Sequence, residues 1–552
     1  VDEVSVLIGG KAGDGINSAG ALVARLFSRL GYRIYLYFDY PSLIKGGHNF
    51  AVVRATSRQV GAHRERVDFL LALDQETLRR HVAEVKPTTV VMGRSDRSQG
   101  AKVSVPVKEV LDRIGASDLM GNTCMVAAFA RAAGVPWEIL EEVIRAHITK
   151  ETSLNIAVAR EAYTGAIEVS PVPRAPGAAP PLPLLTGNEA IGLGLAASGL
   201  DLFIAYPMTP TSNLLHFLAE YATPLGLTVV HPENEIAVIL MALGAAYAGK
   251  KAAVGTSGGG FCLMTEGFSL AGMAEIPVVV VMGQRAGPST GLPTYSAQTE
   301  LLFVLNAGHG EFPRLVVAPA DVGEAYRWSA LALQIAWDYQ VPAVILVDKT
   351  LCEGSFSCGP DDLIQLPYVK PVSAGPKFPY LRYQNITDGV SPFIHPPDPL
   401  AVVKVNSYSH DEAGITSEDS GTATMMVEKR IRKGESLAEA VRSLPTVEVS
   451  GDPASRIGLI CFGTMGGVCR EVAEHLGIRC IRPVVLAPFP SAQVHAQIDG
   501  LTQVIAVEEN ATGQLAHLFA AHGIRVHHQI HRVDGRPFAL EALIREVSGV
   551  IG

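Results

Sequence analysis

Three features of this sequence could do chemistry: a hydroxyl-rich elbow, a carboxylate at the mouth of an apolar helix, and a guanidinium at the end of a strand. In FIAYPMTPTSNLL (203–215) an apolar run stops at Tyr206-Pro207-Met208-Thr209-Pro210, with Thr209, Thr211 and Ser212 close together. Proline holds φ at about −65°, so Pro207 and Pro210 restrict the backbone on either side of Thr209 and aim its hydroxyl. Thr211 and Ser212 suit the cap of the helix that follows. In HPENEIAVILMALGAAYAG (231–249) Glu235 opens a helix that is apolar almost all round. With Glu233 it could favour the positive end of that helix. Alternatively, it is a carboxyl group in a water-poor pocket, able to share a proton with a cofactor ring. In MGQRAGPSTGLPT (282–294) Arg285 is the one cation of a polar loop. The loop follows a strand-like run, at the end of an α/β sheet where ligands bind, and a guanidinium can clamp a carboxylate through two hydrogen bonds.

Two glycine-rich turns add to this set. GGKAGDGINSAG (9–20) and TSGGG (256–260) each follow a strand and open a helix. Such turns offer backbone amides and a helix N-terminus to an anion. The first lacks P-loop spacing and the acidic residue about 20 positions on that a dinucleotide fingerprint needs, which argues against an NAD-dependent dehydrogenase. Its Gly13-Asp14-Gly15 imitates the metal-binding GDG of thiamine enzymes, but residues 38–47 lack the asparagine that such a motif requires. A plain strand–helix turn explains these residues equally well. In PSLIKGGHN (41–49) Lys45 and His48 flank two glycines, as a cation presented on a turning loop or as a solvated lysine. Taken together, the loops at strand ends of the 188–352 segment point to an anionic ligand at an α/β switch point.

The elements that must position these groups alternate between strand and helix. The chain has 552 residues, 48% hydrophobic and 18% charged, with 54 glycines. That length and composition predict a multi-domain α/β protein, and strand-like apolar runs alternating with helices predict open, mainly parallel sheets. A net charge of -9 gives no basic footprint for nucleic acid or an anionic membrane. The longest apolar stretch, 236–249, falls short of the roughly 20 residues of a membrane span and reads as a buried helix. No secretory signal pattern opens the chain. The seven cysteines form no C-x-x-C, so neither a zinc ribbon nor a self-contained iron–sulfur site is expected, and reduced thiols in a cytoplasmic protein are.

The expected domains are 1–166, which opens as a βαβ unit, then a linker at 167–187 with six prolines, then 188–352. An irregular connection follows at 353–455, with one helix near Ala423–Lys433, and a last α/β domain at 456–552. The run 276–281 has the composition of a strand buried on both faces.

AYPMTPTS, PENEIA, TSGGGF and GQRAGPSTGLPT together resemble the pyrimidine-binding half of 2-oxoacid:ferredoxin oxidoreductases. The N-terminal glycine turn with PSLIKGGHN is similar to the γ domain of that family. ICFGTMGG and AVEENATGQLA resemble its transketolase-like C-terminal domain, and SHDEAGITSEDSGTATMMVEKRIRK (409–433) resembles fused α subunits of the 2-oxoglutarate type. The resemblance implies a thiamine diphosphate enzyme whose Mg2+ and [4Fe-4S] cluster sit in a separate β subunit, in an (αβ)2 heterotetramer. This chain itself would hold no metal.

By the same resemblance, Glu235 matches the glutamate that bonds the pyrimidine N1′, with Tyr206 and Pro207 beside the cofactor. Thr209 and Arg285 match groups on the 2-oxo acid, and Lys45 is the candidate for a distal carboxylate. The implied reaction is oxidative decarboxylation of 2-oxoglutarate with coenzyme A as co-substrate and ferredoxin as acceptor. In reverse it is a carboxylation, as in a reductive TCA cycle. The rivals are the same chemistry on pyruvate or a branched-chain 2-oxo acid, and a non-catalytic nucleotide- or CoA-binding scaffold. TSGGG stands where TSGPG is frequent in the family, and Ala12 where many γ domains carry glycine.

Overall fold

The first strand, Glu3–Lys11, is buried over seven successive residues because it runs through the middle of an eight-stranded sheet. The structure is a computed structural model that describes residues 2–42, 47–176, 180–370 and 375–552. Glu3–Lys11 pairs in parallel with Val67–Ala72 and antiparallel with His48–Thr56. Helix Ile16–Arg29 carries the chain over to Arg33–Asp39, as expected of a βαβ opening. His48–Thr56 is inserted between the two strands of that crossover and pairs antiparallel with both. The sheet is therefore parallel from Glu3–Lys11 outward through Val67–Ala72, Val85–Arg94 and Val103–Val105, and antiparallel on its other side.

This first unit comprises residues up to 186 together with 353–359 and 537–552. Its core joins Phe27, Phe69 and Phe129 edge to face. The proline-rich segment, expected as a spacer, lies along this unit instead. The amides of Val169 and Ser170 donate to Ala132 O, that of Val172 to Ala133 O, and that of Ala175 to Leu30 O. All three carbonyls stand at the ends of helices Ile16–Arg29 and Gly121–Ala132, where no intrahelical donor remains for them. Helix Leu540–Ile551 also belongs here. The Leu540 amide donates to His63 O at 3.0 Å, and Arg545 pairs with Glu65 at 2.5 Å.

The second unit, 187–352 with 360–536, holds two further sheets. The order in the larger is Val485–Ala487, Leu315–Val317, Pro342–Asp348, Val278–Gln284, Ala252–Ser257, Leu202–Ala205, Thr228–Val230. Every pairing in it is parallel except that of the first two strands. Val278–Gln284 and Pro342–Asp348 are buried at every residue, as strands covered on both faces must be. The smaller sheet runs Val447–Gly451, Arg479–Pro483, Ile457–Ile460, Gln503–Glu508, His528–His531.

Val485–Ala487 arises from the C-terminal segment yet closes the edge of the larger sheet. One core runs through Ile204, Val280, Leu346, Ile460, Ile481 and Val504. That shared core is why 188–352 and most of 456–552 form one unit. The helix expected at Ala423–Lys433 extends over Ser420–Arg442, capped by Asp419, which accepts from the Thr422 amide at 2.8 Å. Lys429 and Lys433 of this helix are buried on the Glu275 carboxylate.

Helix Glu235–Tyr247 is not the buried helix its composition predicts. Val238, Ile239, Ala242 and Leu243 face the core, while Ile236, Leu240 and Met241 are 50, 41 and 44% exposed. Among the described residues no helix is long and apolar enough to cross a membrane. Six of the seven cysteines are buried and Cys262 is exposed.

Candidate active site

The parallel register of the larger sheet brings the sequence-predicted groups to one end of it. Strands 228–230, 202–205, 252–257 and 278–284 lie side by side and parallel. Their carboxyl ends lead respectively to Glu235, the 206–211 elbow, the TSGGG turn and Arg285. This is the edge at which an open α/β sheet binds its ligands.

Glu235 is the first residue of its helix, and the cap belongs to its neighbour. Asn234 Oδ1 accepts from the Ala237 amide at 3.0 Å. Glu235 is thus released from capping, and its buried side chain turns toward the next helix, Gly258–Ala274. A Cβ added at Gly260 would stand 2.8 Å from Glu235 Oε1 and 2.2 Å from Thr256 Oγ1. Glycine at 260 is therefore what lets the carboxylate and the Thr256 hydroxyl approach the helix backbone. Among the described residues the Glu235 carboxylate has no hydrogen-bond donor or cation as partner, which leaves it open to a ligand that supplies one.

The elbow is held from three sides. Arg285 Nη1 donates to Thr209 O at 3.0 Å, and Asn188 Nδ2 donates to Pro210 O at 2.9 Å. Gly283 leaves room for the Pro210 ring, which a Cβ there would meet at 2.8 Å. The exposed Tyr206 ring meets His231 edge to face at 6.0 Å, linking the elbow to the segment before Glu235. With its carbonyl bound by Arg285, Thr209 keeps its hydroxyl free of partners among the described residues. Thr211 occupies the cap position of helix Ser212–Glu220 but does not cap it by its side chain. Its hydroxyl donates to Met208 O at 3.0 Å and Thr256 O at 3.3 Å, tying elbow to TSGGG turn.

Glu300 is a member of this site that sequence patterning does not single out. Its amide donates to Gln284 Oε1 at 3.3 Å, and its Oε1 accepts from the Thr299 hydroxyl at 2.9 Å. A Cβ at Gly258 would meet that Oε1 at 3.0 Å. Burial pushes the Glu300 carboxyl up to about 7, against the pull of Arg285. Burial in turn lowers Arg285, which Glu300 opposes. Glu300 Oε2 and Ser257 Oγ are both buried without a partner. A partnerless carboxylate, free hydroxyls and a half-buried guanidinium fit a planar ring with a basic nitrogen beside a small carboxylate.

ICFGTMGG and AVEENATGQLA meet the same end of the sheet, where the Thr464 hydroxyl bonds Asp348, the register partner of Gln284, and the Ser296 hydroxyl donates to Glu509 Oε2 at 2.9 Å. Burial raises both carboxyls, Glu509 to about 8. In the first unit, Asp14 accepts from the Lys11 amide at 2.9 Å, so its carboxylate closes the glycine turn. His48 Nε2 lies 2.8 Å from His81 Nε2, and burial lowers it to about 4, so it is neutral at physiological pH and supplies no cation. Lys45 lies outside the described residues. No group of three His, Cys, Asp or Glu among the described residues is arranged to hold a metal ion.

Comparison with known proteins places this edge in a family. A family model described as "Pyruvate flavodoxin/ferredoxin oxidoreductase, thiamine diP-bdg" matches residues 194–433, which include Thr209, Glu235, Arg285 and Glu300. Another, "Pyruvate ferredoxin/flavodoxin oxidoreductase", matches 5–165. The α subunit of 2-oxoacid:ferredoxin oxidoreductase 2 from Aeropyrum pernix is 32% identical, over 97% of this chain and 96% of its own length. The 2-oxoacid:ferredoxin oxidoreductase α subunit of Saccharolobus solfataricus is 30% identical over 99 and 98%. The 2-oxoglutarate:ferredoxin oxidoreductase of Magnetococcus marinus, solved with 2-oxoglutarate, coenzyme A and succinyl-CoA bound, superposes with a TM-score of 0.89. It is 27% identical over 100% of both chains.

Proposed function

The chain belongs to the 2-oxoacid:ferredoxin oxidoreductases, as an α subunit, and from that premise we propose that its substrate is 2-oxoglutarate, converted with coenzyme A to succinyl-CoA and CO2 while ferredoxin is reduced. The observation that carries the chemistry is the buried, partnerless Glu235 carboxylate over Gly260, one strand away from the elbow. Thiamine diphosphate, when bound, supplies the electron sink that decarboxylation of a 2-oxo acid requires. Glu235 hydrogen-bonds the pyrimidine N1′ through its carboxyl and exchanges a proton with it. Tyr206 and Pro207 flank the ring. Thr209 donates its free hydroxyl to the 2-oxo acid, and Arg285 orients the elbow through Thr209 O while turning its remaining donors to the substrate carboxylate. Lys45 is our candidate for the distal carboxylate of a dicarboxylic acid.

The diphosphate end of the cofactor, Mg2+ and the [4Fe-4S] cluster belong, in this reading, to a β subunit in an (αβ)2 assembly of the cytoplasm. The exposed apolar ridge of Ile236, Leu240 and Met241, on the helix that begins at Glu235, supports a partner there, since so continuous a patch is unusual on a free surface. A reconstituted complex given equal concentrations of 2-oxoglutarate, pyruvate and a branched-chain 2-oxo acid should show its highest kcat/KM on 2-oxoglutarate. Preference for either alternative would move the substrate assignment to that acid.

A further inference from the structure

We propose that Glu300 is a positioning residue that sets the affinity for the anionic substrate: neutral, it leaves the Arg285 charge available to a carboxylate, and ionised, it competes for that charge and repels the carboxylate. The inference rests on the placement of the substrate beside Arg285 proposed above. Glu300 is tied to the strand end that carries Arg285, its amide donating to Gln284 Oε1 at 3.3 Å; the two form no ion pair, and each acts electrostatically on the other. The guanidinium spends one donor on Thr209 O and keeps its charge uncompensated.

The elements around Glu300 present few alternatives. Strand Val278–Gln284 offers the Gln284 amide oxygen, helix Gly258–Ala274 its first residue, and helix Gln514–Ala521 the Gln514 side chain, which bonds Thr299 O and the Leu302 amide. Among the described residues Arg285 is the charged group acting on Glu300. Burial accounts for a carboxyl that titrates at about 7 instead of in the ordinary carboxylate range. Its ionisation adds an anion that acts on the guanidinium to which the substrate carboxylate is assigned, and like charges drawn to one cation oppose one another.

Below pH 7 Glu300 is neutral and the substrate meets an unopposed Arg285. Above it, the ionised fraction grows about tenfold over the neutral one for each pH unit, and KM rises with it. The test is the assembled complex with its partner subunit, assayed from pH 6 to 8.5 with 2-oxoglutarate.

Wild-type KM should rise roughly tenfold between pH 6 and 8. In Glu300→Gln it should stay at the low-pH value throughout, with kcat following the same pH profile in both proteins. A flat wild-type KM, or a Glu300→Gln variant that keeps the wild-type rise, overturns the proposal. A second readout needs no turnover. A carboxyl raised by burial costs stability as pH climbs from its unfolded value toward 7, so the Tm of Glu300→Gln should gain on wild type between pH 4.5 and 7 and hold that lead above. A Tm difference independent of pH also overturns the proposal. Arg285→Ala separates the two levels. If it leaves KM unchanged at every pH, the substrate is misplaced and both readings fall. If it raises KM while Glu300→Gln behaves as wild type, only the role of Glu300 falls.

Discussion

Gly260 gives the most direct structural handle on Glu235, because changing it moves the carboxylate without altering its chemistry. In Gly260→Ala the new methyl group would lie 2.2 Å from Thr256 Oγ1 and 2.8 Å from Glu235 Oε1, where ordinary contact begins at 3.4 Å. The Thr256 hydroxyl must swing away or the helix must shift, an overpacking cost of about 1–3 kcal/mol. Glu235 must retreat by about 0.6 Å to restore ordinary contact. A misplacement of about 1 Å at a reacting group costs on the order of 100-fold, so kcat should fall by roughly 10- to 100-fold in the assembled enzyme. The assay is acyl-CoA formation coupled to ferredoxin reduction, with stability followed by urea titration. Gly259→Ala is the control. Gly259 is exposed in the same helix turn with nothing within 4 Å of an added Cβ, so its stability should rise by about 0.5–1 kcal/mol from helix propensity alone. If Gly260→Ala keeps wild-type turnover while losing the expected stability, Glu235 does not act from the position described.

Thr209→Ala and Arg285→Ala should each lose a hydrogen bond to a charged group, about 1.5–3 kcal/mol, read as a fall of roughly 10- to 150-fold in kcat/KM. The arginine variant should show the larger loss, because it also releases the elbow carbonyl; steady-state kinetics in which neither changes would move the substrate pocket elsewhere. Glu275→Gln should destabilise by about 3–5 kcal/mol, since Lys429, Lys433 and Arg382 then remain buried without their carboxylate. Adding Lys433→Met should recover part of that loss in chemical denaturation, and a double variant no more stable than the single one contradicts the pairing.

The fold class and the edge of the sheet that carries the site were legible because both depend on local punctuation. Four strand ends in one segment carry Gly, Pro or hydroxyl residues, and parallel pairing then brings those ends together whatever the loop details. What stayed hidden depends on long-range packing. Glu300 follows a polar loop and looks solvated until Gly258, Gln284 and Gln514 close over it. Lys429 and Lys433 have a surface helix pattern, and only Glu275, far away in sequence, explains their burial. The inserted strand His48–Thr56 follows the second strand of the crossover it splits, so local order could not reveal its place. Thr211 has the residue type of a helix cap, but a carbonyl of the TSGGG turn competes for its hydroxyl. The all-round apolar helix at 235–247 was legible as a helix; which of its faces meets the core depends on the sheet it packs on, and Ile236, Leu240 and Met241 stay exposed.

The most direct test of the account is turnover of the assembled complex carrying Glu235→Gln, which keeps the size and polarity of the side chain and removes its ability to exchange a proton. The account predicts a folded, assembled enzyme with wild-type Tm and loss of acyl-CoA formation from 2-oxoglutarate by at least the 10²–10⁴-fold typical of a lost acid–base group, taken as an order of magnitude. Near-normal turnover by that variant would contradict the assignment of Glu235 and, with it, the catalytic role proposed for this edge of the sheet.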